Sequence, residues 1–163
     1  MGYGSCVLTI FFQFIFKYHA SYILEKFSDF WYNENMLFHK HMLVNAKVSN
    51  PIKTEFEAIE FLENLVRKID MKIIKGPFAS YVDVPGNRGL TAIVMIETSH
   101  IAFHIWDEVD PGMLQFDLYT CGSLDKFDVL NALNDMFDIK SIEWVLFDRE
   151  NGFVIEDSNK LGK

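Results

Sequence analysis

The stretch "LTAIVMIETSHIAFHIWDEVDPGMLQFDLYTCG", Leu90 to Gly122, decides the fold. It contains three largely apolar runs, LTAIVMIE, SHIAFHIW and LQFDLYT, whose connecting links are only a few residues long. Strands joined this tightly pair as antiparallel neighbours, because a parallel connection needs a crossover of a dozen or more residues. The stretch therefore predicts three adjacent strands of an antiparallel sheet.

Polar side chains in these strands follow a period of two, so they share one face of the sheet. His100, His104 and Trp106 fall on one face of the second strand, and Asp117 and Cys121 fall on the same face of the third. The other face of both strands is apolar. Because the polar faces of paired strands coincide, we expect His104 and Cys121 on the same side of the sheet.

The flanking sequence adds two helices and four more strands. A strand over 40–48 precedes a helix whose start is marked by Thr54 and Glu57, a capping box. A second helix follows Cys121, with Ser123 as its expected N-cap. The expected apolar stripes are Phe56, Ile59, Leu62, Val66 and Ile69 in the first helix, and Phe127, Leu130, Leu133 and Phe137 in the second.

The element order is thus β-α-β-β-β-β-α-β-β, ending in a hairpin with Asn151-Gly152 at its turn. Two helices with one apolar stripe each cannot cover both faces of such a sheet. The predicted fold class is α+β, a two-layer α/β sandwich with both helices on one face of an antiparallel sheet. The open face needs a second sheet, a partner subunit or a ligand.

Length and composition narrow the classes of function. The chain has 163 residues and a formal net charge of −8, which disfavours nucleic acid as a partner because phosphate contacts need clustered Lys and Arg. Cys6 and Cys121 are its two cysteines, too few for a disulfide framework or a cysteine metal site. We expect a cytoplasmic protein with no metal site.

The N-terminal segment, residues 1–37, differs from the rest of the chain. Its apolar run Cys6–Phe16 is about eleven residues long, whereas a helix needs about 20 to span a membrane. No basic residue precedes it, so a secretory signal is not indicated either. We interpret 1–37 as an appended segment and place one domain at 38–163, with no membrane association.

Taken singly, the polar residues have ordinary structural explanations. A cysteine at a strand end is usually a small buried apolar side chain, and a histidine on a sheet surface is usually solvated or paired with a neighbour. A Cys-His nucleophile pair is a further alternative that pattern alone leaves open.

Together, the residues resemble the prokaryotic, pyruvoyl-dependent S-adenosylmethionine decarboxylase family, whose members are made as proenzymes. The family pattern is E-S-H-[LI]-x-[IL]-H-[ST]-[WF]-P-E followed by D-[VIL]-[FY]-T-C-G. The matching residues here are Ser99, His100, His104, Trp106, Glu108, Asp117, Thr120, Cys121 and Gly122. The resemblance extends from about His41 to the C-terminal hairpin.

This resemblance implies a mechanism and a role for several residues. The family cuts itself before the serine, which leaves a covalent pyruvoyl cofactor whose ketone forms a Schiff base with the substrate. Ser99 is then the pyruvoyl precursor, His104 assists the cut, and Cys121 donates a proton to the decarboxylated intermediate. Thr91 stands where the family keeps a processing serine, and Glu108 faces the nucleoside.

The chain also departs from the family pattern. Thr98 stands between Glu97 and the cleavage serine, so the scissile bond is Thr98–Ser99. Asp107 replaces the family's proline, and the following loop is two residues longer. The residue that stacks on adenine cannot be transferred, and Tyr81 and Phe78 are the candidates.

The resemblance implies decarboxylation of S-adenosylmethionine for spermidine synthesis, by a homodimer of cleaved protomers that covers the open sheet face. Two alternatives stay open: a pyruvoyl-dependent decarboxylase of ornithine or arginine, and an unprocessed, non-catalytic homologue.

Overall fold

A computed structural model of the chain describes residues 38–161. The interpretation of residues 1–37 as an appended segment lies outside the described residues and stays a prediction. Within the described part, no helix is long and apolar enough to cross a membrane.

The described residues form seven strands and two α-helices in the predicted order. The strands pair antiparallel throughout, in the spatial order β2-β3-β4-β5-β1-β6-β7. Their bounds are β1 Lys40–Val48, α1 Glu55–Lys68, β2 Ile73–Val82, β3 Gly89–Ile96, β4 Ser99–Trp106, β5 Gly112–Thr120, α2 Lys126–Met136, β6 Ile139–Asp148 and β7 Val154–Leu161.

The hydrophobic core lies between this sheet and the two helices. Ile101, Phe103 and Ile105 of β4 are buried, and the residues between them are half-buried or exposed. Phe61 of α1 packs edge-on against Phe103 and also against Phe137, just after α2, which ties both helices to the same face. The predicted α+β sandwich with both helices on one face of the sheet is therefore confirmed.

The helix ends follow the sequence signals in one case and not in the other. The Thr54 hydroxyl accepts the Glu57 backbone N–H, as the capping box predicts. The Glu57 carboxylate accepts the Thr54 hydroxyl instead of the Thr54 backbone N–H. The second helix is capped by Asp125 and not by Ser123, because the Asp125 carboxylate accepts the N–H of Phe127 at 2.8 Å.

The predicted apolar stripes were wrong at their first positions. Phe56 is 74% exposed and Phe127 is 58% exposed. Each lies in the first turn of its helix. The residues that are buried in the helices are Ala58, Phe61, Leu62, Leu65 and Val66 in α1, and Val129, Ala132 and Leu133 in α2.

Candidate active site

The turn between β3 and β4 contains the predicted scissile bond. Ile96 and Ser99 are the last pair of the β3–β4 ladder, so Glu97 and Thr98 form a two-residue turn. Ser99 has a φ of 152°, a positive value that a residue with a side chain rarely adopts. Such a conformation costs on the order of 1–3 kcal/mol and is found preferentially at functional sites. The backbone is therefore strained beside the Thr98–Ser99 bond.

The end of β5 holds the carbonyl of that bond. Ser99 pairs with Thr120, and the Cys121 backbone N–H donates to the Thr98 carbonyl oxygen at 3.0 Å. Gly122, the next residue, packs closely against Thr98, since a Cβ at Gly122 would lie 3.3 Å from Thr98 Cγ2. A hydrogen-bond donor aimed at this oxygen polarises the carbonyl and stabilises negative charge that develops on it.

The Ser99 side chain lies beside a chain of polar contacts on the open sheet face. Its Oγ is 3.1 Å from Nδ1 of His100, and Nε2 of His100 is 3.3 Å from Oδ1 of Asp117. The other Asp117 oxygen lies 3.1 Å from Nε2 of His41, and the Arg149 guanidinium donates to Nδ1 of His41 at 3.3 Å. Ser99, His100 and Asp117 thus form a serine–histidine–carboxylate series.

His104 does not meet Ser99 within one chain. They lie five positions apart on β4, and at about 3.4 Å per position this places them about 17 Å apart. His104 is exposed, and its Nδ1 lies 3.0 Å from the Thr91 hydroxyl on β3. Within one protomer, therefore, His104 does not lie beside Ser99, and its role in the cut stays a prediction. Alternation predicts only the face of a side chain, whereas the separation along an extended strand follows from the residue spacing.

The histidine that does contact Ser99 is His100, which sequence reasoning did not select. The period of two had placed His100 and Asp117 on one face, and the β4–β5 register sets Asp117 beside Ala102, two residues from His100. The pairing register of β4 and β5 was the information needed to place Asp117 near His100. Cys121, a free thiol, follows β5 directly and is half-buried.

The candidate substrate-binding residues are dispersed. Tyr81 is half-buried and packs against the core, its N–H donates to Glu55 of α1, and its hydroxyl donates to Asp107. Tyr81 therefore lies toward the helices, and its candidacy for stacking on adenine stays a prediction. Phe78 pairs with Ile93 and is exposed. The Glu108 carboxylate accepts the Gly86 N–H at 2.7 Å, next to the β2–β3 turn.

A buried carboxylate that sequence reasoning missed lies just beyond β4. The side chain of Asp107 is 1% exposed and accepts hydrogen bonds from Arg88 Nε at 2.9 Å and from the Tyr81 hydroxyl at 3.0 Å. Burial by itself raises the pKa of Asp107, but the hydrogen bonds from Arg88 and Tyr81 and the charges of Arg88 and Lys53 outweigh burial and lower it. In the sequence this residue belonged to a polar loop, so its burial was not foreseen.

A cavity of about 930 Å³ opens on the sheet face opposite the helices. His104, Gln115, Asp117 and Glu143 contribute polar groups to its wall, and neither Ser99 nor Cys121 is among the residues that line it. In one protomer, therefore, this cavity and the Thr98–Ser99 turn are separate places connected through Asp117. Among residues 38–161, no group of three acidic, histidine or cysteine side chains is arranged to hold a metal ion.

Comparison with known proteins identifies the family to which the chain is similar. The S-adenosylmethionine decarboxylase family model matches residues 40–150. An Aquifex aeolicus protein named S-adenosylmethionine decarboxylase proenzyme is 28% identical over 102 residues, which cover 62% of this chain and 70% of that protein. A Carboxydothermus hydrogenoformans protein of the same name is 37% identical over 54 residues, which cover 32% of this chain and 41% of that one.

Among solved structures, a phage SAM lyase in complex with S-methyl-5'-thioadenosine aligns with a TM-score of 0.35 and 9% identity, covering 77% of this chain and 90% of that one. A similarity this weak bears on neither fold nor function. The family match spans more than half of the chain and includes the Thr98–Ser99 turn, β4 and β5. The chain belongs to the S-adenosylmethionine decarboxylase family.

Proposed function

We propose that the chain is a proenzyme that cuts itself between Thr98 and Ser99 and then decarboxylates S-adenosylmethionine. The observation that carries this proposal is the strained Ser99, whose preceding carbonyl accepts the Cys121 N–H. The decarboxylated product would supply aminopropyl groups for spermidine synthesis. The two cysteines of the chain favour a cytoplasmic setting.

The residues present fit the pyruvoyl group that this family implies. The group derives from a serine, and Ser99 offers a hydroxyl directly after a polarised carbonyl, at the exposed end of a hairpin. Thr98 contributes only its carbonyl to the bond that breaks, and its hydroxyl donates to the Met71 sulfur at 3.5 Å. When present, the pyruvoyl ketone draws away the electron pair that the departing carbon dioxide leaves behind.

Cys121 is placed to act after the cut. Its N–H holds the Thr98 carbonyl, and its half-buried thiol follows the residue that pairs with Ser99. We assign to the thiol the proton that is returned to the substrate carbon once carbon dioxide has left. The backbone and the side chain of one residue would thus serve two successive reactions.

The position of His104 gives the proposed homodimer a chemical role. If His104 assists the cut, it must come from a second protomer, because about 17 Å of strand separates it from Ser99 of its own chain. Thr91 would accompany it, since the two side chains are in contact. A partner on the open face would also cover the exposed Ile93 and Met95.

Two measurements on the purified protein test the proposed activity. Intact-mass analysis should find two chains that meet at Thr98–Ser99, the second without a free amine. Carboxyl-labelled S-adenosylmethionine should release labelled carbon dioxide. Release from ornithine or arginine alone would contradict the substrate, and a chain that stays whole and inactive would favour the non-catalytic homologue.

Mixing two inactive variants tests the shared site. Ser99→Ala lacks the reacting hydroxyl and His104→Ala lacks the assisting ring, so each alone should stay uncut. A mixed dimer pairs an intact Ser99 with an intact His104 across the interface, and we expect partial cleavage of the His104→Ala chains on coexpression. No cleavage in the mixture, or sedimentation of the wild type as a monomer at micromolar concentration, would contradict the shared site.

A further inference from the structure

The contact between Ser99 and His100 points to the base for the first step of self-cleavage. We propose that His100 takes the hydroxyl proton of Ser99 when the chain cuts itself, and that Asp117 positions the His100 ring. This inference rests on the proposed function and assigns a step that His104 of the same chain is too distant to perform.

The geometry suits proton transfer. Ser99 Oγ and His100 Nδ1 are 3.1 Å apart, within the range of about 2.6–3.2 Å expected between a base and the group that it deprotonates. The two residues are adjacent at the start of β4, and the positive φ of Ser99 departs from the ordinary strand conformation that would direct their side chains to opposite faces.

Asp117 fixes which nitrogen of His100 is free to accept the proton. Its Oδ1 is buried and makes no hydrogen bond of good geometry within the described part of the chain, yet it lies 3.3 Å from His100 Nε2. A buried carboxylate oxygen favours a proton on the nearest ring nitrogen, so Nε2 carries the hydrogen and Nδ1 presents its lone pair to Ser99. His41 binds the other oxygen at 3.1 Å and holds the carboxylate in place.

The step balances without a co-reactant. Ser99 Oγ forms a bond to the Thr98 carbonyl carbon while its proton passes to His100 Nδ1, and the Cys121 N–H stabilises the charge on the carbonyl oxygen. The bond between the Thr98 carbon and the Ser99 nitrogen then breaks, and His100 returns the proton to that nitrogen. The product is an ester with a free amine, with no net change in protons or electrons.

The test follows freshly translated chain by intact mass, with and without hydroxylamine, which cleaves an ester but not an amide. For His100→Gln, which keeps a polar side chain but cannot take up the proton, we expect cleavage to slow at least 100-fold, within the usual range for acid-base catalysis. Hydroxylamine should not restore the cut, because the ester does not form. For His100→Ala, added imidazole should recover part of the rate.

Two further variants separate this role from a structural one. His39→Gln removes another histidine near the β5 end, one that contacts Tyr119 at 2.7 Å, and it should cut at the wild-type rate. Asp117→Asn should slow the cut about tenfold or more, since an amide no longer fixes the ring proton, and Asp117→Glu should recover part of that loss.

The outcomes are distinct. Cleavage of both His100 variants at the wild-type rate would overturn the inference while the proposed function stands. So would build-up of a hydroxylamine-sensitive ester in His100→Gln, which would place His100 after the acyl shift. Absence of imidazole rescue in a folded His100→Ala chain would also count against proton transfer. A wild-type chain that never cuts would overturn the proposed function, and the inference with it.

Discussion

The two ends of β4 use polar residues in opposite ways. At the start, Ser99 has a strained backbone and a side chain in contact with a half-exposed histidine. Just past the end, Asp107 is buried and held by Arg88 and Tyr81. One end keeps polar groups accessible, and the other satisfies a charge with fixed partners.

This difference explains why a dense polar motif is not a single site. Groups that react must be reachable and incompletely paired, whereas a buried charge contributes to stability only when its partners are in place. We therefore expect changes at the Ser99 end to alter chemistry with little loss of stability, and changes at the Asp107 end to do the reverse.

The largest expected effect is that of Ser99→Ala. No hydroxyl remains to attack the Thr98 carbonyl, so the chain should stay whole and all decarboxylation should be lost. The substitution removes only the Oγ contact with His100 and leaves the backbone pairing of β4 and β5 unchanged, so the folded state should be retained. Intact mass and circular dichroism check both points, and a two-chain product from this variant would place the cut elsewhere.

Cys121→Ala should separate the two reactions at the Ser99 end. The backbone N–H that holds the Thr98 carbonyl is unchanged by this substitution, so the cut should proceed. Decarboxylation should fall on the order of 10²–10⁴-fold, because the proton-donating thiol is absent. Cleavage and labelled carbon dioxide release are measured on one preparation, and an uncut variant would contradict the assignment.

At the other end, Asp107→Ala should destabilise the fold without preventing the cut. Removing the buried carboxylate leaves the Tyr81 hydroxyl and the Arg88 Nε–H without their acceptor, and because Arg88 is 38% exposed to water we expect a loss on the order of 1–3 kcal/mol. Urea unfolding measures the loss, and Asp110→Ala, an exposed acid in the same loop, is the control, with an expected change of about 0.5 kcal/mol or less. Equal stability of the two variants would show that the buried pair contributes little.

Acid should reduce the stability that the Asp107 carboxylate contributes. The pKa of Asp107 is lowered from its usual value of 3.8 in the folded chain. The ionised Asp107 therefore contributes its full stabilisation at pH values above 3.8. This stabilisation is lost as the pH falls through the lower pKa of the folded state. The gap in unfolding free energy between wild type and Asp107→Asn should be constant near neutral pH and shrink below about pH 4. A gap that widens in acid would contradict the sign of the shift.

Much of the fold could be predicted because alternation in β4 and β5 is regular and the links are short. The second helix cap was misplaced because Ser123 and Asp125 are both good caps, and only the structure shows which one accepts an N–H. The face of Tyr81 could not be inferred either, since the β2–β3 register shifts twice before Phe78.

The sequence names candidate residues for the site but does not show which of them lie together. The family motif selects Ser99, His104 and Cys121, and their assigned roles remain predictions. Which histidine contacts Ser99 depends on the backbone conformation of Ser99 and on the β4–β5 register, and neither can be read from residue types.

The strand order has a consequence for when the chain can be cut. Cleavage at Thr98–Ser99 would leave β1, β2 and β3 on one piece and β4 to β7 on the other, yet β1 lies between β5 and β6, and β3 lies beside β4. The two pieces would stay interleaved in one sheet. The Cys121 N–H reaches the Thr98 carbonyl only once β5 is paired with β4, so assembly must precede the cut. Afterwards, an unfolded molecule would have to reassemble from two unlike chains, which makes the uncut precursor the form in which this sheet is first built.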